Sequence, residues 1–157
     1  MEGVFGLDSE LDLMKKLEWE FDSLSKDHAN PFVAYNFFVT SWHLLEWKFP
    51  DPEGNFIRKR IKENSPLLQV CEHLAIGAKH FSPTKKSLRA VESSGKSGFW
   101  SENFWARGFW ADGVWASWLE VTLDGPAREE FGEKIKVADL ANKVMEFWRG
   151  FSVEHHT

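Results

Sequence analysis

Three histidines stand in stretches with helical spacing: His43, His73 and His80. His73 and His80 are seven residues apart, two turns of one helix, and so share a side. His43 precedes Glu46 by three. Two paired helices would bring His43, Glu46, His73 and His80 together, and imidazole and carboxylate groups in a bundle core are ligands for a divalent ion. The chain holds no Glu-x-x-His pair, however. Hydrogen-bonded histidines lining a packed interface, partnered by Asn36, Thr40 or Gln69, are therefore the simpler expectation. No metal or other cofactor is expected. As a catalytic set, His80, His73 and His43 would suit RNA cleavage. His80 would be the general base, with Lys79 or a cation from Arg58–Lys62 stabilising phosphate. A solvated basic face is the simpler reading of those cations. The sequence carries no P-loop, dinucleotide fingerprint, nucleophile elbow or zinc-ribbon cysteine pattern.

A second group of residues is more conspicuous. The run GFWSENFWARGFWADGVWASW, from Gly98 to Trp118, holds five of the nine tryptophans, and Trp100, Trp105, Trp110 and Trp115 recur every five residues. A helix would rotate each step by about 140° past a full turn, and three glycines oppose it. A single strand would throw successive tryptophans to opposite faces. The period makes sense if each unit contains a turn, at Glu102–Asn103, Arg107–Gly108 and Asp112–Gly113. Short Phe-Trp-Ala pieces joined by such corners form a stacked ridge. These four tryptophans, with Trp118, are the candidate binding residues, either as a lid on a helical core or as a contact surface. Five exposed tryptophans would be an apolar patch that a lone monomer rarely carries.

Both groups need a scaffold. A chain of 157 residues fits one domain with a core of its own. It is 43% hydrophobic and 27% charged, a globular balance. The formal charge of −5 disfavours a broad nucleic-acid footprint. The single cysteine, Cys71, excludes an internal disulfide and fits a helix core in a reducing compartment. No segment reaches the roughly 20 apolar residues of a membrane span, and the N-terminus lacks a signal-peptide run. A cytoplasmic protein without a membrane partner is expected.

Helix punctuation is frequent. Ser9 caps a helix to about Ser25, with Leu11, Met14, Leu17, Phe21 and Leu24 as its apolar stripe. Asn30–Pro31 opens a second helix that ends before Pro50, in which Asn36, Thr40, His43 and Trp47 share a stripe. A short basic helix runs from Gly54 to Lys62. Ser65–Pro66 opens another, with Leu67, Val70, Leu74 and Phe81 as its buried face. Residues 82–97 read as a polar loop with a short strand at Leu88–Val91. SWLEVTLDG alternates and ends in a turn signal, EKIKVA reads as a returning strand, and Ala138–Phe151 as the last helix.

AYNFFVTSWHLLEW and CEHLAIGAKHF resemble paired helical motifs of small bacterial and phage proteins. Those motifs carry Trp-His-x-x-acidic-Trp and then Lys-His-Phe, with aromatic-glycine tandem repeats between the helical parts. The resemblance spans residues 30–81 and extends thinly to Phe147–Trp148. It implies a helical fold and brings no activity with it. A looser likeness is to the HEPN superfamily of helical nucleases and defence proteins, whose motif is an Arg, a polar residue, a short spacer and a His. Here Glu72–His73 stands upstream of His80 and the spacer is longer, so this likeness implies a helical bundle rather than the activity.

The expectation is a mainly α (α+β) single domain over residues 1–157. Four to five helices, over about 8–81 and 138–151, form a bundle. A small Trp-rich β/turn-repeat insertion occupies about 84–137, before the last helix. The expected function is that of a non-enzymatic interaction or assembly protein of bacterial or phage origin. Its partner would be a second copy or another protein, with nucleic acid less favoured, and the tryptophan pentads would make the contact. The alternative is a HEPN-like RNA-directed protein with a His-lined site.

Overall fold

A computed structural model describes residues 5–79, 90–98 and 117–152. The fold is mainly α, with a small antiparallel sheet. Among the described residues six helices and three strands follow in the order α1 (Glu10–Lys26), α2 (Pro31–Lys48), α3 (Gly54–Glu63), α4 (Pro66–Lys79), β1 (Val91–Gly98), β2 (Ser117–Leu123), α5 (Gly125–Phe131), β3 (Lys134–Lys136) and α6 (Val137–Arg149).

The helix starts follow local chemistry. The Ser9 hydroxyl accepts from the Asp12 backbone N–H at 3.3 Å and donates to the Asp12 carboxylate at 2.7 Å. That bond, followed by the Lys15 ammonium, holds the Asp12 carboxyl down at about 2. Asn30 Oδ1 accepts from the N–H groups of Phe32 and Val33 at 3.0 and 3.4 Å, ahead of Pro31. Ser65 Oγ accepts from the Leu68 N–H at 3.3 Å and caps α4. Glycine is required where α2 turns into α3. A Cβ on Gly54 would lie 2.0 Å from the Phe49 carbonyl oxygen. The Arg58 guanidinium donates to that same carbonyl and to Asp51, which closes the corner.

Helix α2 is central and touches α1, α3, α4 and α6. Phe37, Leu44 and Leu45 on its inner side join Leu17, Ile61, Leu68, Leu140 and Met145 in one core. The sheet, in the order β1-β2-β3, adds Val121, Leu123 and Ile135 to that core. Alternation along β2 puts Leu119, Val121 and Leu123 inside and leaves Trp118, Glu120 and Thr122 outside. Surface ion pairs span the elements: Arg149 grips both carboxylate oxygens of Glu18 at 3.0 and 2.6 Å, and Lys48 meets Glu10 at 3.1 Å.

Several expectations are corrected. Among the described residues there are six helices rather than four or five, because Asp124–Gly125–Pro126 opens α5 instead of making a hairpin turn. Asp124 Oδ1 accepts from the Gly125 N–H at 2.7 Å, a cap where a turn is expected from the dipeptide. The described strand is Val91–Gly98, longer at its C-terminal end than the expected Leu88–Val91, of which Leu88 and Arg89 lie outside the described residues. Its Ser/Gly composition resembles a loop, but pairing with β2 at Val91 and from Ser93 to Gly98, with a register shift at Glu92, makes it a strand. Leu11 is 66% exposed, and Leu13 and Glu20 take the inner side of α1 instead. The stripe Asn36–Thr40–His43–Trp47 is divided: Thr40 is buried, while the other three are exposed. Phe81 lies outside the described residues.

Candidate functional site

The tryptophan run hangs from a defined frame. Strands β1 and β2 pair antiparallel from Val91↔Leu123 to Gly98↔Ser117. Residues 99–116, with Trp100, Trp105, Trp110 and Trp115, lie outside the described residues. Gly98 and Ser117, the two residues that bracket them, are paired neighbours on the sheet. Paired strands are about 5 Å apart.

Trp118 stands beside that pair, half-buried, on the outer face of β2. Its indole N–H donates to Glu120 Oε2 at 3.4 Å. The Lys136 ammonium of β3 lies 4.7 Å from the centroid of its ring, a cation–π contact worth about 0.5–1 kcal/mol at an exposed site. Lys134 meets the same Glu120 at 3.4 Å. Three strands thus hold one indole in place: β2 supplies it, β3 covers its face with a cation, and β1 pairs Ser97 opposite it.

The histidines are placed differently from one another. His43 is exposed on α2. It lies about 160° around the helix from Ser41, the residue that meets α4 at Cys71, so it points away from α4. His73 is half-buried on α4, and its Nδ1 accepts the Val91 backbone N–H at 3.1 Å. Its proton therefore sits on Nε2. Burial pushes its pKa below the usual 6.5, against the pull of neighbouring Glu72. Glu72 itself pairs with Lys62 of α3 at 3.1 Å. So His73 is hydrogen-bonded at a packed interface, as expected, but to a strand N–H rather than to Asn36, Thr40 or Gln69. Gln69 donates instead to the Lys62 and Glu63 carbonyls, at 3.1 and 3.4 Å. His80 lies outside the described residues. Among the described residues no three of His, Cys, Asp or Glu are grouped to hold a metal ion.

Two buried polar clusters escaped the reading of the sequence. Ser41 Oγ accepts from Trp148 Nε1 at 3.0 Å and donates to Cys71 Sγ at 3.6 Å, joining α6, α2 and α4 at one point. Burial pushes the Cys71 thiol up to about 12, so it is neutral and unreactive at physiological pH. The second cluster lies between α1 and α2. Lys16 donates to Glu20 and, at 2.6 Å, to Thr40 Oγ1, while Glu20 Oε2 is buried with no hydrogen-bond partner. The signal for both was spacing. Ser41 follows Phe37 by four and Glu20 follows Leu17 by three, which are core positions occupied by polar residues.

No family model, no curated protein and no solved structure matches the chain. Among the described residues no helix is long and apolar enough to cross a membrane.

Proposed function

We propose that the protein is a non-enzymatic interaction or assembly protein in which the tryptophan run makes the contact. The observation that supports this most is the pairing of Gly98 with Ser117. It ties both ends of an aromatic run to a sheet whose other face is part of the core. Anchoring both ends lowers the ordering cost of binding. The aromatic composition is what interface centres select. The histidines support the same reading from the other side: His73 is committed to the Val91 N–H and His43 points away from α4. The partner is a second copy or another protein.

The test is a double variant, Trp105→Ala with Trp110→Ala, studied by native mass spectrometry beside the parent chain. The expected result is a shift to lower assembly mass with unchanged circular dichroism. An unchanged mass distribution, together with unchanged partner binding, overturns the reading.

A further inference from the structure

Strand β1 is tied to the helices at its first residue by a side chain. Val91 stands opposite Leu123 of β2. Around this pair the Asp124 N–H donates to the Ala90 carbonyl at 3.1 Å, and the Leu123 N–H donates to the Glu133 carbonyl at 2.8 Å. Those are the bonds of a non-hydrogen-bonded antiparallel pair, so the Val91 N–H turns away from β2. It turns to α4, where His73 Nδ1 accepts it at 3.1 Å. The register shifts at the next residue, Glu92, and the ladder resumes at Ser93. The entry to β1 is therefore held by an imidazole on one side and the Asp124 N–H on the other, with a bulge between it and the rest of the strand.

We propose that His73 and Val91 form a pH-sensitive clasp: the neutral imidazole fastens the start of β1 to α4, and protonation of His73 releases it while the rest of the sheet stays folded. Imidazole accepts at Nδ1 only while neutral, because the imidazolium carries a hydrogen on both nitrogens. A protonated His73 would set a second donor against the Val91 N–H and leave that N–H without its acceptor. Opening at the bulge relieves the conflict at the cost of the Asp124–Ala90 bond alone. Few charges bear on His73 from the elements that α4 packs against, which are α2, α3, α5 and β1. On α4 itself Glu72 favours the charged form, but it is paired with Lys62 of α3 at 3.1 Å. Lys59, Arg60 and Glu63 of α3, Glu92 of β1, and Glu129 and Glu130 of α5 are exposed. Arg58 of α3 and Arg128 of α5 are held by Asp51 and Glu133. On α2 Glu46 is exposed, Lys48 is paired with Glu10, and His43 points away. Among the described residues Glu72 is the charge that acts on the imidazole, and burial outweighs it. The clasp is therefore closed at neutral pH and opens as the medium is acidified. It concerns how β1 is attached to the helices and holds whether or not the tryptophan run makes a contact.

The test is amide hydrogen exchange on the full chain, read by heteronuclear NMR between about pH 7.5 and 5 and corrected for the pH dependence of unprotected amides. The His73 ring is titrated in the same samples. The Val91 amide should be protected at the upper pH, and its protection should fall at least about threefold as the imidazole takes up its proton. Urea below the unfolding transition separates a local opening from a global one. It should lower the protection of buried Val121, in the middle of the sheet, and leave that of Val91 unchanged, because a local opening exposes little surface. In His73→Gln, with folding checked by circular dichroism, the Val91 protection should no longer follow pH. The parent chain alone can overturn the proposal. It fails if the Val91 amide is unprotected at the upper pH, if its protection ignores the His73 titration, or if Val91 and Val121 respond to urea alike. An undiminished pH response in a folded His73→Gln chain overturns it as well.

Discussion

Helices α2 and α6 pack against each other, yet they divide their residues in opposite ways. In α6, Leu140, Ala141, Val144, Met145 and Trp148 are buried, and Asp139, Asn142, Lys143, Glu146 and Arg149 are exposed. Every residue there goes where its solvation preference sends it. In α2 two polar residues, Thr40 and Ser41, are buried, while Phe32 and Trp47 are exposed. The inner exceptions have partners: Thr40 accepts from Lys16, and Ser41 bridges Trp148 and Cys71. Among the described residues the outer exceptions, Phe32 and Trp47, take no part in the core. A helix whose pattern is fully explained by its own core has a structural task.

The largest effects test the inner faces, where the two helices should behave alike. Leu44 of α2 and Leu140 of α6 are both fully buried. Leu44→Ala and Leu140→Ala should each cost about 2–5 kcal/mol in urea unfolding. A cost under about 1 kcal/mol at Leu44 would mean that α2 is not the central helix.

Ser41→Ala comes next. It leaves the buried Trp148 N–H without an acceptor, and the expected loss is about 1–3 kcal/mol. Trp148→Phe in the same background should then cost less than it does alone. Additive losses would show that the bridge between α2 and α6 contributes nothing.

A smaller effect is read in pH. The folded-state pKa of His73 is depressed below 6.5 by burial. Between the folded and unfolded values the unfolded chain binds the extra proton, so stability is full above about 6.5 and falls as pH drops through the folded value. Protonation would also place a donor against the Val91 N–H. His73→Gln supplies an oxygen acceptor that does not titrate. The loss in urea midpoint between about pH 7.5 and 5 should therefore be smaller in that variant. An equal loss would assign the pH dependence to other groups.

The smallest effect marks the contrast most sharply. Phe32→Ser on the outer face of α2 should change the stability of the monomer by less than about 0.5 kcal/mol, measured by dilute urea unfolding. A larger loss would make Phe32 part of the fold after all.

Much of the helical frame was legible. Ser9, Asn30–Pro31 and Ser65–Pro66 mark helix starts through bonds that reach only two or three residues, so a local reading is enough to find them. The burial of Cys71 and the alternation of SWLEVTL were likewise readable. What escaped was non-local. The segment VESSGKSG resembles a loop until β2 is beside it. Asp124–Gly125 resembles a hairpin turn until the chain goes on into α5. Leu11 has the spacing of the core stripe but lies at the exposed edge of the angle at which α1 meets α2. Of the candidate site, spacing picked out Trp118 and His73 as residues of note. It contained nothing of Lys136 over the indole or Val91 on the imidazole, because each contact joins separate elements.

The sequence by itself determined where helices begin, which stretches are apolar and that tryptophans recur in fives, because caps, prolines and periodicity act within a turn or two of chain. The tertiary structure alone decided which polar residues are buried and bridged, which aromatic residues of α2 remain outside, and that Gly98 and Ser117 are neighbours. Those outcomes depend on which surfaces meet, and hydrophobic burial, which drives the meeting, has no direction of its own.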